Sequence, residues 1–486
     1  MVKIRGDYIG ASFGDFILEP GYTTREHLPE NIDITVDLAG MKIKPFIPAA
    51  MRAICDENFA LEAAKSGLMP VVPRAYSVER QVKIIRYVKE REVRKGELEE
   101  VDDPIKLRED ETLADALEKV NTYGHSNLPV VDKSGNFKGI FKYRQEYERE
   151  LMQSPDMPVK NLMVPLEKTH YVVGEDRDEI KRKLEEENLR MLPVLEEIFD
   201  RQGKREYRLK KLVFRRQDDG YRIAAAIDTY PGWKGRVERV LEAGADMIFI
   251  DTSDCWNEFT ESLMEEYKKR FEKPICVGNL VGEEAFRLFA DLGADAIKVG
   301  MGSGSICTTS QVLRVGAAPM DALIRVTQAR DRYYKETGRY IPVIADGGIS
   351  DEADIIIALA CADAVMLGKL FAAFEESAGR VIETGGEKYK EYWGEGSRRA
   401  FELTGDMKRY SLPKDSKYII YQGVEGGVKL KGKLKPGVEH WVQTLKQTMM
   451  HVGAKNLKEY HEKAVLTRLT QRSAEKTGPH GILVED

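Results

Sequence analysis

From Ile43 to Val88 the apolar residues fall into short runs separated by helical stripes. KPFIPAAM reads as a buried strand, Ala60, Leu61, Ala63 and Ala64 as one helix face, and LMPVVP as a second strand. Ser77 then caps a helix whose stripe is Val78, Val82, Ile85 and Val88. The charged run KEREVRKGELEEVDD, Lys89 to Asp103, breaks the pattern and predicts a solvated linker or helix end. Beyond about residue 220 the alternation returns in a regular form. EAGADMIFID (242–251), DLGADAIKVG (291–300) and LACADAVMLG (359–368) share one phrase: a helix end, Ala-Asp, then an apolar strand. Two of these helix ends carry Gly, which tolerates a left-handed cap, and the third carries Cys361. RIAAAI, KPICVGN and IPVIADGG supply further strands. Continuous apolar strands between helices imply a parallel sheet buried on both faces. With the N-terminal strands, about eight βα units predict an α/β fold, a (β/α)8 barrel. Chemistry then belongs at the strand ends, which points to Asp251, Asn279, Gly300, Asp346 and Gly368.

Between about residues 100 and 215 the rhythm is different. Strand, helix, LPVV strand and hairpin occur once, and the order recurs with Leu192-Pro193-Val194 answering Leu128-Pro129-Val130. This resembles a tandem pair of cystathionine-β-synthase (CBS) modules; the alternative is two unrelated αβ units that share a tripeptide. The expected organisation is a barrel in two parts, 1–98 and 218–486, interrupted by a tandem module over 99–217.

Composition narrows the setting. The chain has 486 residues, 42% hydrophobic and 32% charged, with a net charge of −6, which argues against an extended nucleic-acid surface. Five cysteines form no CxxC pair, as expected in a reducing cytoplasm. No signal-peptide run and no stretch of about 18 apolar residues is present, so no membrane association is expected.

The densest chemistry lies in KVGMGSGSICTTS, 298–310. Gly300, Gly302 and Gly304 let main-chain groups approach an ion closely. The segment matches neither GxGxxG nor a P-loop. Cys307, after this loop, reads either as a small buried hydrophobe or as an accessible nucleophile. In IADGGIS, Asp346 could hold a ribose diol while the Gly347 and Gly348 amides approach a phosphate; Gly368 and Lys369 begin the next helix at a natural phosphate position.

GSGSICTT, IADGGI, AVMLG, EYWGEGS and YQGVEGGV, in this order, resemble the inosine-5′-monophosphate (IMP) dehydrogenase and GMP reductase family, specifically a divergent, short-flap dehydrogenase branch. The resemblance covers nearly the whole chain. It implies NAD-dependent oxidation of IMP to xanthosine 5′-monophosphate: a cysteine attacks C2 of the hypoxanthine, hydride passes to NAD, and the covalent thioimidate is hydrolysed. On that resemblance Cys307 is the nucleophile and Asp346 the ribose carboxylate. Ser305, Gly348, Gly368 and Tyr392 form the phosphate cradle, with Lys369 beside it. Met51, Gly394, Gly396 and Gln422 border the base; Glu395 faces it with its backbone, and its side chain is expected to reach the dinucleotide. Asp251, Thr252, Ser253, Asn279, Gly300 and Gly302 are on the nicotinamide side. Carbonyls of Gly302, Gly304 and Cys307 match a potassium site completed by a neighbouring subunit's tail, around 475–478, which implies a homotetramer. Arg409 and Tyr410, on a mobile flap of about 397–422, match a pair that activates water, with Thr309 assisting. The CBS-like module is expected to sense an adenine or guanine nucleotide.

Some positions depart from the family pattern. Pro48-Ala49-Ala50-Met51 replaces Ser-Ala-x-Met, Lys369 stands where many members have Ser, and Ser310 replaces Arg or Gln. Two other readings remain: GMP reductase, which consumes NADPH, and a regulatory nucleotide-binding scaffold.

Overall fold

The computed structural model describes residues 10–92, 98–123, 125–144, 146–187, 189, 191–200, 202–215, 220–404, 419–470 and 473. Among these, the apolar runs form eight strands of one parallel sheet: β1 (Phe46–Pro48), β2 (Val71–Val72), β3 (Ala224–Ile227), β4 (Met247–Ile250), β5 (Ile275–Leu280), β6 (Ala296–Val299), β7 (Val343–Asp346) and β8 (Ala364–Leu367). The ladder runs β2-β3-β4-β5-β6-β7-β8-β1. Lys44 N donates to Gly67 O at 3.0 Å, drawing together the segments that lead into β1 and β2. Successive strands lying side by side in a ring is the (β/α)8 topology. Every residue of β3, β4, β6 and β8 is buried, which explains why these strands show no polar alternation.

Helices α1 (Glu57–Lys65), α2 (Val78–Lys89), α3 (Trp233–Glu242), α4 (Glu258–Arg270), α5 (Glu283–Asp291), α6 (Pro319–Thr337) and α7 (Glu352–Leu359) follow strands of the ring. A long C-terminal helix, α8 (Leu434–Val452), packs Trp441 against Phe46 at 5.7 Å and Phe371 at 5.2 Å. Ser77 caps α2 by accepting the Arg80 N–H. The buried stripe of α2 is Gln81, Ile84, Ile85 and Val88, rotated from the predicted one. A glutamine is tolerated there because its amide donates to the carbonyls of Val72, Pro73 and Ala226, and Arg236 donates to its Oε1.

The recurring Ala-Asp phrase has a mechanical meaning. Asp246, Asp295 and Asp363 accept the N–H of Ile223, Ile275 and Val343 at 2.9, 2.9 and 2.8 Å. Each aspartate also donates its own N–H back to the carbonyl of that same residue. Each therefore clips the start of one strand to the start of the next. A cation completes each clip: Lys89 at 3.0 Å, Lys268 at 2.6 Å and Arg330 at 2.9 Å. The two glycine-bearing copies end their helices on Gly244 (φ +103°) and Gly293 (φ +92°). The Cys361 copy needs no left-handed residue, because Ala362 N bonds directly to Ala358 O.

The chain divides into two compact units, Met1–Arg91 with Arg222–Asp486, and Glu92–Tyr221. The second contains a βαββ motif twice. Leu107–Arg108, Leu113–Tyr123, Asn127–Val131 and Phe137–Lys142 form the first copy; Val172–Val173, Arg177–Glu186, Met191–Phe199 and Arg205–Arg215 form the second. Val130 pairs with Leu107 and Val194 with Val172, both in parallel, so the two Leu-Pro-Val tripeptides occupy the same register. This agreement favours a true repeat over a shared tripeptide. Phe137 and Ile140 pack with Leu195, Leu209 and Leu212 to join the copies. Part of the charged run is not linker: Leu98–Val101 pairs antiparallel with Leu212–Arg215. Tyr221 N donates to Glu92 Oε1 at 2.9 Å, so the first and last segments of the unit meet.

Candidate active site

The C-terminal strand ends of the barrel open on one cleft. It is lined by Met51 after β1, Asp251 to Ser253 after β4, Asn279 in β5, and Gly300 to Cys307 after β6. Thr309, Asp346, Gly348, Gly368 and Lys369 complete the rim, and Tyr392, Gly394 to Gly396 and Gln422 reach it from later in the chain. Every site residue expected from the sequence therefore lies here except Arg409 and Tyr410, which fall outside the described residues, as does 475–478.

Cys307 is the half-buried member of a hydrogen-bond chain. Its Sγ lies 3.2 Å from Thr309 Oγ1, which donates to Gln422 Oε1 at 3.1 Å. Thr309 is only 5% exposed. The loops carrying this chain are joined through main-chain bonds from Thr308 N to Gln422 O and from Val424 N to Ile306 O. At the other cysteines burial disfavours the thiolate. Burial pushes the Cys55, Cys255 and Cys276 thiols far up, and that of Cys361 up to about 11.

At another part of the rim, the Tyr392 hydroxyl packs on Gly368, where any Cβ would collide with it, and lies 3.7 Å from Met51 Sδ. Burial pushes the Tyr392 phenol up, partly offset by its hydrogen bond with Ser305. Lys369 is exposed and starts a helix of only four residues, so it brings a charge but little helix dipole.

The floor is a charge cluster. Lys298, 2% exposed, meets Asp346 Oδ2 at 2.7 Å, Asp251 at 3.6 Å and the Asn279 side chain. Burial disfavours the ammonium, yet Asp346 and Asp251 outweigh it and hold its pKa above the usual lysine range. Asn279 Nδ2 donates to Gly300 O at 2.7 Å and Asp346 Oδ2 at 3.0 Å. On the other side of Asp251, Arg74 stands 3.6 Å away and 3.7 Å from Asp228. Sequence reasoning assigned no role to Lys298 or Arg74. The signal for Lys298 was present: a lone charge within the otherwise apolar strand AIKV.

Several expected contacts are spent on the protein itself. Thr252 Oγ1 donates to Gly278 O at 3.0 Å, bracing β4 against β5. Gly300 is required by packing, because a Cβ there would collide with the Asp346 carbonyl. Gly394 N is committed to Val424 O. The Glu395 side chain is held in a buried ion pair with Arg52 at 3.0 Å. A guanidinium beside it outcompetes solvent for the carboxylate. Among the described residues no group of three His, Cys, Asp or Glu is arranged to hold a metal ion, and no helix is long and apolar enough to cross a membrane.

The fold and cleft together define a (β/α)8-barrel protein with a cysteine-centred site at its strand ends. The chain belongs to the IMP dehydrogenase / GMP reductase domain family, whose model matches residues 10–480. It is 31% identical to the inosine-5′-monophosphate dehydrogenase of Tritrichomonas foetus, over 98% of this chain and 96% of that protein. To the enzyme of the same name from Aquifex aeolicus it is 32% identical, again over 98% and 96%. Among solved structures, GMP reductase from Trypanosoma brucei in complex with guanosine 5′-monophosphate has a TM-score of 0.68 at 24% identity. That likeness covers 98% of this chain and 99% of that chain and is one of fold.

Proposed function

We propose that this chain oxidises IMP to xanthosine 5′-monophosphate with NAD, a step of guanine nucleotide synthesis. The observation that carries the reading is the Cys307–Thr309–Gln422 chain sharing one cleft with Ser305, Gly368 and Tyr392, which suit a phosphate, and with Asp346, which suits a ribose diol. The Cys307 thiolate attacks C2 of the purine, and the C2 hydrogen departs with its electron pair. NAD supplies the acceptor for that hydride. Water then bonds to C2, the C–S bond breaks, and the thiolate returns with release of one proton. Thr309, fixed between Sγ and Gln422, orients these proton movements. Arg409 and Tyr410 activate the water in this reading, which rests on the resemblance alone.

A second cleft continues from Asp251, Thr252 and Ser253 past Tyr230, Trp233 and Phe259, leaving room for the rest of the dinucleotide beyond the nicotinamide. Gly302 has φ +77° and is a position where a Cβ would collide with Ser310. Its carbonyl, with those of Gly304 and Cys307, would hold potassium together with donors from outside the described residues; no chemical step is assigned to that ion. The 92–221 unit we read as a tandem CBS module for an adenine or guanine nucleotide, and the working form as a cytoplasmic homotetramer.

The test follows nicotinamide absorbance with IMP plus NAD, and separately with GMP plus NADPH. NADH formation confined to the first mixture is the expected result; NADPH consumption confined to the second would replace the proposal with GMP reductase. Arg409→Ala should give a first burst of NADH and then stall, and a missing burst would remove Arg409 from the hydrolytic step.

A further inference from the structure

Arg52 follows Met51 directly and is 9% exposed. Three of its donors converge on one carboxylate. Its main-chain N meets Glu395 Oε1 at 2.7 Å, its Nε meets Oε2 at 3.2 Å, and its Nη2 meets Oε2 at 3.0 Å. The same Nη2 donates to Ala400 O at 3.2 Å. Both side chains are over nine-tenths buried. A buried pair of this kind adds little net stability, because desolvating two charges offsets their attraction; replacing both by apolar groups is often neutral or stabilising. Stability therefore does not account for it, and its position suggests what does.

Glu395 lies between Gly394 and Gly396, and these two glycines fix the next loop. Gly394 N bonds to Val424 O, and Gln422 N bonds to Gly396 O. Gln422 in turn receives the Thr309 hydroxyl. A continuous set of bonds thus runs from the turn after β1, through Glu395, to the residues around Cys307. On the near side of this clamp, Met51 faces the cleft against Tyr392 and Gly368. Arg52 ties the turn that carries Met51 to the 394–396 loop, while the phosphate-suited residues Ser305, Gly348 and Gly368 belong to other loops; Tyr392, two residues before Gly394, is the phosphate-suited residue that touches Met51.

We propose that Arg52 is a positioning residue that, through Glu395, sets the gap in which the purine ring lies and so controls affinity for the base but not for the phosphate and ribose. The proposal rests on the reading of the cleft as a purine mononucleotide site. The clamp joins two segments that both line the cleft, and a site whose walls are held before binding pays less ordering cost when the ring enters.

The experiment compares the parent, Arg52→Met and the double variant Arg52→Met/Glu395→Met on the full chain. Calorimetry measures Kd for IMP, GMP and ribose 5-phosphate, and thermal melting gives Tm. In Arg52→Met the Kd of whichever mononucleotide the parent binds should rise at least tenfold, with ribose 5-phosphate changed less than twofold and Tm lowered. The double variant should recover most of the Tm but retain the raised mononucleotide Kd. Parental mononucleotide affinity in the double variant would overturn the proposal, as would a parallel loss of ribose 5-phosphate. A parent that binds neither mononucleotide would instead refute the reading of the cleft, an outcome visible before any variant is made.

Discussion

At the lower rim of the barrel, Asp246, Asp295 and Asp363 each accept a strand N–H, return their own, and face a cation. At the upper rim, Asp251 and Asp346 share buried Lys298, and the bonds from Asn279 and Lys298 to Asp346 both fall on Oδ2. The ingredients are the same, carboxylate and cation, but their use differs. Below, the carboxylates knit backbone to backbone. Above, Lys298 and Asn279 orient them beside an open cleft, the arrangement expected where a ligand supplies the remaining partners. One barrel thus separates what holds it together from what it offers to a substrate.

That separation can be broken from either side. The largest effect should come from Cys307→Ala, which is expected to lower turnover by on the order of 10⁴-fold while leaving Tm nearly unchanged; a parallel fall in Tm would mean that the upper rim is structural too. Asp363→Ala should do the reverse. Removing the partner of buried Arg330 is expected to cost about 3 kcal/mol in denaturant unfolding, with KM unaltered. Thr309→Val, close in shape, should slow turnover about 10²-fold, read from steady-state rates with the extent of Cys307 alkylation as a check that the thiol is still accessible.

The smallest effect concerns the hairpin that carries Tyr392 into the cleft. Hydrogen bonds from Arg380 and Arg399 hold the Glu391 carboxyl well below its ordinary range, at about 2. Because the folded value is depressed, its contribution is fully present above the unfolded pKa of about 4.3 and disappears as pH falls toward 2. Glu391→Gln should flatten the acid loss of stability in that window and change stability at pH 7 by less than about 1 kcal/mol. An unchanged acid profile would show that these surface partners do not couple to folding.

Much of this was legible along the chain. The strands announced themselves as short apolar runs, because a strand buried on both faces has no solvent side to mark. Some cleft residues, such as Gly300, Asp346 and Gly368, followed from glycine-rich segments at strand ends, where close approach excludes side chains; others, such as Tyr392 and Gln422, followed only from the family resemblance. The Ala-Asp phrase was visible as a repetition, but its purpose was not, since the N–H that each aspartate accepts belongs to a strand 20 to 23 residues earlier. Gln81 was passed over for the same reason: a polar residue reads as exposed until the carbonyls that satisfy it are in place. Leu98–Val101 was hidden in a charged run, and its partner strand lies more than a hundred residues later.

By itself, then, the sequence determined the barrel, the repeat and the strand-end residues of the cleft, which depend on local periodicity and on what glycine permits; the rest of the cleft set came from the resemblance to the family. Only the tertiary structure decided how the charges pair. That Glu395 pairs with Arg52, and that Lys298 is the centre of the floor rather than a liability, depends on distances between segments remote in the chain. The physical reason is that apolar burial is set by averages over a face, whereas a buried charge is set by a single partner within a few ångströms.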